Sequence, residues 1–167
     1  MNSLSVEPYS DPWREAVAGL IVPIQRGEFG VEITAEDQPD LADIPGFYQH
    51  GAGNFWIARR PGQEGELLGT IALLDIGSGM AALRKMFVRR EERGAGVAPA
   101  LLGAALAWAG ERGLREIWLG TTDKYHAAHR FYEKHGFGRV SREELPPPFP
   151  VMAVDSIFYR MALPRGG

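Results

Sequence analysis

The chain contains no cysteine. Disulfides, thiolate metal sites and a cysteine nucleophile are excluded, and a reducing cytoplasm is the expected location. Long hydrophobic runs are missing too. The most apolar stretch, Val97 to Ala109, is too short to span a bilayer, so no membrane association is expected. The opening MNSLSVEPYSDPW has neither the basic nor the apolar region of a secretory signal. Basic residues are outnumbered: 18 Lys and Arg face 21 Asp and Glu, a net charge of −3. Broad binding to nucleic acid needs a basic surface, so nucleic acid is not an expected partner. A local cluster at Arg84, Lys85, Arg89, Arg90 and Arg93 still suits a small anionic ligand. Histidine is scarce, with four in the chain. His126 and His129 can share a helical face. Without a well-placed carboxylate such a pair is more often solvated than metal-bound, and no metal is expected.

What is present reads as one domain over residues 1–167. A chain of this length can bury roughly 70% of its unfolded surface without staples. No internal repeat or low-complexity linker interrupts it. DPWREAVAGLIVPIQRGE reads as an amphipathic helix, with Asp11 as N-cap, Pro12 at the first helical position, and Trp13, Val17, Leu20, Ile21 and Ile24 at helical spacing. Pro23 is placed to end or kink it. AEDQPDLADIPGFYQHG reads as a second helix or as two short turns broken by Pro39 and Pro45. NFWIARR, GELLGTIALLDIG and MAALRKMFV read as strands of an antiparallel meander, because the links between them are too short for crossovers. Val97, Leu101, Ala105, Trp108 and Ala109 then share a helical face, and Gly113 is a suitable C-terminal cap. REIWLGTT is a strand, YHAAHRFYEKHG a short helix, GRVSREEL the start of another strand, PPPFP a rigid link and MAVDSIFYRMAL a closing strand. The helix joining LRKMFV to EIWLGTT implies a parallel crossover, normally right-handed. The expected fold is mixed α/β: a mostly antiparallel sheet flanked by helices, with one parallel strand–helix–strand unit.

That parallel unit carries the turn RREERGAGVAPALL, residues 89–102. A strand–turn–helix junction presents the first N–H groups of a helix, which have no intrahelical partner, at the positive end of the helix dipole. Glycines let a ligand approach that backbone. The combination makes an anion site, most often for phosphate. Arg93 can add a charge-assisted contact at its rim, and Pro99 fits the first helical turn. A plain surface turn is the other reading of Gly-x-Gly. The P-loop motif is absent, and the dinucleotide fingerprint fails because its third glycine would fall on Pro99.

LRKMFVRREERGAGVAPALL resembles the acyl-CoA-binding motif of the Gcn5-related N-acetyltransferase (GNAT) superfamily. That motif is a hydrophobic strand, then Arg/Gln-x-x-Gly-x-Gly/Ala opening a long helix. Arg93-Gly94-Ala95-Gly96-Val97-Ala98 fits every specified position, with alanine at the last. The family's second signature is a helix reading Ala-x-x-Phe/Leu-Tyr-x-x-x-Gly-Phe. It is matched by Ala128, Phe131, Tyr132, Gly136 and Phe137, one strand later. LPPPFPVMAVDSIFYRMAL resembles the tail of small bacterial members, whereas the first fifty or so residues match weakly.

The resemblance implies the GNAT fold, with the parallel crossover at the acyl-CoA site, and transfer of acetyl from acetyl-CoA, the co-substrate, to a primary amine. The N–H groups of residues 94 to 98 would cradle the pyrophosphate, and the strand backbone at Met86, Phe87 and Val88 would bond the pantetheine arm. That strand would splay from IWLGTT to admit the thioester. Tyr132 would be the general acid for the departing thiolate, and the amine would attack directly. Packing as an amphipathic aromatic is the other reading of Tyr132. The acceptor would be a small-molecule or peptide amine, and a homodimer is compatible with the resemblance. Many members place a carboxylate before the motif strand. Met80-Ala81-Ala82 stand there, so the general base is left among Asp75, Glu32, His126 and Asp123. An asparagine common in the family is replaced by Tyr125, leaving Thr121, Thr122 or His129 to supply a polar contact. Trp56, Phe47, Tyr48, Phe149 and Tyr159 are candidate linings of an acceptor pocket. A non-catalytic acetyl-CoA sensor or interaction module is the alternative function.

Overall fold

The computed structural model describes residues 4–28, 30, 33–62 and 66–164. The elements are β1 (Ser5–Pro8), α1 (Arg14–Pro23), α2 (Pro39–Ala42), α3 (Ile44–Tyr48), β2 (Asn54–Arg59), β3 (Gly69–Gly77), β4 (Met80–Val88), α4 (Val97–Glu111), β5 (Glu116–Thr121), α5 (His126–Lys134), β6 (Gly138–Val140) and β7 (Ile157–Ala162). They build a seven-stranded sheet in the order β1-β2-β3-β4-β5-β7-β6. All neighbours are antiparallel except β4 and β5. This is the mixed α/β architecture expected from the sequence.

The strand NFWIAR has no polar face because both of its faces are covered. Phe55 and Ile57 pack with Val17, Leu20 and Ile21 of α1, while Trp56 and Ala58 pack with Val97, Leu101 and Ala105 of α4. A strand buried on both sides reads as a continuous apolar run. Helix α4 buries Val97, Leu101, Leu102, Ala105 and Ala109. Trp108 sits at the margin of that face, donating Nε1–H to the Ala52 carbonyl at 2.9 Å. Gly113, at φ +73°, closes the helix in the left-handed conformation that a side chain disfavours.

Several local expectations shift. Asp11 is not the cap of α1. It opens a 3-10 turn, Asp11–Trp13, behind Ser10, and its carboxylate accepts from the Tyr9 hydroxyl at 3.2 Å. Helix α1 ends at Pro23 and runs into a π-helical turn, Ile24–Glu28. Pro39 and Pro45 do not break a helix; each stands in the first turn of its own, where the missing N–H costs nothing. Strand β1 went unread because four residues ending in proline carry almost no periodic signal. Proline is tolerated there because β1 is an edge strand. The tail forms strands only at β6 and β7. Residues 152–155 form instead a turn in which Met152 N–H donates to the Asp155 carboxylate at 2.9 Å.

Candidate active site

A 3-10 turn, Arg90–Glu92, leads from β4 into the glycine turn. Gly94 and Gly96 have φ of +83° and +91°. Both lie where a Cβ is penalised, so the turn needs glycine at both positions. Gly96 occupies the N-cap of α4. The amides of Val97 and Ala98 have no acceptor among the described residues, and Pro99 has no N–H. The start of a 15-residue helix is thereby open to an anion. Arg93 is exposed, and its Nε–H donates to the Val88 carbonyl at 3.1 Å, strapping the turn to the end of β4. Arg89 donates Nε–H to the Leu67 carbonyl at 2.9 Å.

Strands β4 and β5 pair only at Met80, Ala81 and Ala82, opposite Glu116, Ile117 and Trp118. Beyond Ala82, β4 runs on to Val88 with β3 as its only strand partner among the described residues. A bulge marks the departure: Lys85 has φ +54°, the register to β3 shifts between Thr70 and Ala72, and the Thr70 hydroxyl pins the Lys85 carbonyl at 2.7 Å. Such a bulge bends its strand. Strand β5 is held instead by β7, out to Thr121. The result is a wedge-shaped slot of about 240 Å³, walled by Leu83–Phe87 of β4 and by Gly120, Thr121 and Thr122. Among the described residues, the β4 edge facing it has no strand partner beyond Ala82, and along Met86, Phe87 and Val88 the Val88 carbonyl is taken by Arg93.

Helix α5 closes the wide end. Its face holds Ala128 and Tyr132 against the slot. Gly136, at φ +99°, ends the helix, and Phe137 N–H turns back to the Tyr132 carbonyl at 3.0 Å. Phe137 is thereby packed edge-on to Tyr132 at 5.6 Å. The Gly-Phe pair thus builds the wall that fixes the Tyr132 ring, which is only 5% exposed. Its hydroxyl has no hydrogen-bond partner among the described residues, and no fully enclosed side-chain polar atom there lacks one. The hydroxyl therefore opens into the slot. Burial, reinforced by the nearby Tyr125 and Tyr159 phenols, holds it well above the ordinary phenol range, so it keeps its proton at neutral pH.

The remaining wall is the segment from Phe149 to Asp155. Asp155 is the only carboxylate among the described residues lining the slot. Burial raises it above the usual carboxylate range, against the opposing pull of Met152 N–H and of the Arg84 and Arg142 charges. Two lining residues, Lys85 and Gln25, belong to a buried polar cluster. Lys85 Nζ is 3.4 Å from Asp40 and donates to Gln38. Asp40 accepts from the Tyr48 hydroxyl at 2.6 Å, and Gln38 pairs with Gln25. Burial lowers the Lys85 ammonium, and Asp40 partly restores it.

With this geometry in view, comparison with known proteins decides the family. A model of the acetyltransferase (GNAT) family matches residues 20–137. The chain belongs to that family. A GNAT-family acetyltransferase of Staphylococcus aureus Mu50, of known structure, is 34% identical, with a TM-score of 0.92; the match covers 97% of this chain and 100% of that one. Among curated relatives, N-acetyltransferase family 8 member 2 of Rattus norvegicus is 31% identical over 105 residues, 62% of this chain and 46% of the relative. The N-acetylaspartate synthetase of Danio rerio is 35% identical over 106 residues, 63% of this chain and 37% of the relative. The chain thus spans less than half the length of these two curated relatives.

The GNAT wedge gathers some expected residues and leaves out others. Met86, Phe87, Thr121, Thr122 and Tyr132 line it, with the 94–98 turn at the far end of β4. Of the expected bases, Asp75 is a clamp that accepts from Ala52 and Gly77 N–H at 2.9 and 2.8 Å, and those bonds lower it. His126 stacks on His129, Asp123 receives no place in the slot lining, and Glu32 lies outside the described residues. Trp56 and Tyr159 belong to the core. Of the expected aromatics only Phe149 lines the slot. Asp155 escaped the sequence reading; its one signal is an acid alone at the end of PVMAVD.

Proposed function

We propose that this chain is an acetyl-CoA-dependent N-acetyltransferase that transfers acetyl to a primary amine by direct attack. The observation that carries the reading is the separation of β4 from β5 after Ala82, with the Tyr132 hydroxyl, unpartnered among the described residues, facing the gap. The pyrophosphate of coenzyme A would sit on the turn of Gly94, Ala95, Gly96, Val97 and Ala98, where the Ala95 amide already donates to the Glu92 carbonyl at 3.2 Å, with Arg93 at the rim. The pantetheine arm, which carries amides of its own, would add to the open edge of β4 at Met86, Phe87 and Val88, as a partial strand. The thioester would then lie in the slot.

In the reaction the amine nitrogen attacks the thioester carbonyl, a C–N bond forms and the C–S bond breaks. The nitrogen must first be neutral, and acceptor amines titrate near ~8 to ~10.4. Asp155 would take the proton, directly or through a water. Its raised affinity for protons suits it better than an exposed carboxylate. The sulfur leaves as a thiolate of pKa about 8.5, by analogy with cysteine. Full proton transfer from a phenol held above its ordinary range is uphill. Tyr132 therefore stabilises the thiolate chiefly by donating a hydrogen bond, with the proton following as the sulfur departs. The cysteine-free chain and the lack, among the described residues, of a helix long and apolar enough to cross a membrane fit an enzyme of the cytoplasm.

The test is turnover of purified protein with acetyl-CoA and a broad panel of amines, read as thiol release and as an acetylated product by mass. Release of coenzyme A with matching acetylated amine is expected. Acetyl-CoA binding with no transfer across the panel would favour the sensor.

A further inference from the structure

We propose that Arg84 receives a carboxylate of the acceptor, so that the amines acetylated here are carboxylate-bearing, of the amino-acid type. This rests on the transferase reading above and adds the class of acceptor.

Arg84 lines the slot on β4, half-buried. Its guanidinium lies 5.6 Å from the Phe47 ring centre and 5.9 Å from that of Tyr48, with Nη2 at 3.5 Å from the Met152 sulfur. These contacts orient the group without neutralising it. No carboxylate stands within ion-pair distance among the described residues. Other half-buried arginines in or next to the sheet differ: Arg59 pairs with Glu7, Arg60 with Glu92, and Arg160 with Glu116. Lys85, the slot's other cation, is already held by Asp40. An oriented, partly desolvated guanidinium is a planar fork that matches a carboxylate with two parallel hydrogen bonds. Asp155, facing the same space, gives the opposite charge for the amine end. The slot thus offers a cation for the acceptor's carboxylate and an anion for its ammonium.

The experiment uses the full chain with acetyl-CoA and matched acceptors: free L-amino acids and β-alanine against their carboxamides, with thiol release as readout. At least one carboxylate acceptor should be preferred over its carboxamide by about 10- to 100-fold in kcat/KM. Arg84→Gln should abolish the preference through acceptor KM while leaving acetyl-CoA KM and Tm in place, and Arg84→Lys should restore part of it. A merely structural clamp would lower both acceptors alike and shift Tm. Equal use of acid and amide, faster use of amines without a carboxylate, or no turnover of any carboxylated amine would overturn the inference. Acetylation of uncharged amines would leave the transferase reading standing; failure to bind acetyl-CoA would remove that reading itself.

Discussion

Tyr132→Phe removes one oxygen from the slot, and its two consequences should separate cleanly. In the folded protein the hydroxyl has no partner among the described residues, while the ring packs against Phe131, Phe137 and Tyr159. Phenylalanine keeps that packing, so stability should change by less than ~1 kcal/mol. In the transition state the hydroxyl would face a developing thiolate. A hydrogen bond to a charged group contributes about 1.5–3 kcal/mol, which at about 1.4 kcal/mol per tenfold is a loss of roughly 10- to 150-fold in kcat. A larger loss would need full proton transfer, which the raised phenol opposes. Thiol-release kinetics, with a presteady-state trace to confirm that chemistry limits the rate, and a melting curve supply both numbers. Unchanged kcat with chemistry rate-limiting refutes the role; a Tm lower by many degrees shows that the hydroxyl serves folding instead.

Asp155→Asn should lower kcat/KM and remove the part of the pH profile that reports this carboxylate. The sign for stability also follows. Burial raises Asp155 in the folded state, so its ionisation costs stability as pH rises above the unfolded carboxylate value near ~3.9. The asparagine variant should therefore melt above the wild type at neutral pH, with the gap closing in acid. Gly96→Val puts a β-branched side chain at φ +91° and should weaken acetyl-CoA binding, measured by calorimetry, more than it lowers the melting temperature. Asp40→Asn strips the buried Lys85 ammonium of its counter-ion, 3.4 Å away. Leaving a buried charge unpaired costs about 3–5 kcal/mol, so Tm should fall by roughly 6 °C or more. Melting within ~2 °C of wild type would refute the pairing.

What could be read in advance was local. The glycines of Arg93–Ala98 and the Gly136-Phe137 pair are dictated by backbone conformation within a few residues, so their spacing carries the turn and the helix end. The meander from β2 to β4 follows from short links and apolar runs. The slot is not local. It exists because β4 bulges at Lys85 while β7 captures β5, and β7 arrives some 35 residues after β5 along the chain. Asp155 enters through that same late segment, so no spacing from the motif strand could reveal it. Asp75 misled for the opposite reason: it stands on β3 near the motif, yet its oxygens are taken by backbone amides of neighbouring turns. Trp56 and Tyr159 have the aromatic character of a pocket, but both pack into the main core.

The central claim is that the wedge between β4 and β5 holds the thioester of acetyl-CoA. A crystal structure of the complex with coenzyme A tests it most directly. The account predicts the pyrophosphate on the turn of residues 94 to 98, the pantetheine arm along Met86–Val88, and the sulfur within hydrogen-bond reach of the Tyr132 hydroxyl. A coenzyme bound elsewhere, or one whose sulfur lies outside the wedge and away from Tyr132, would contradict it.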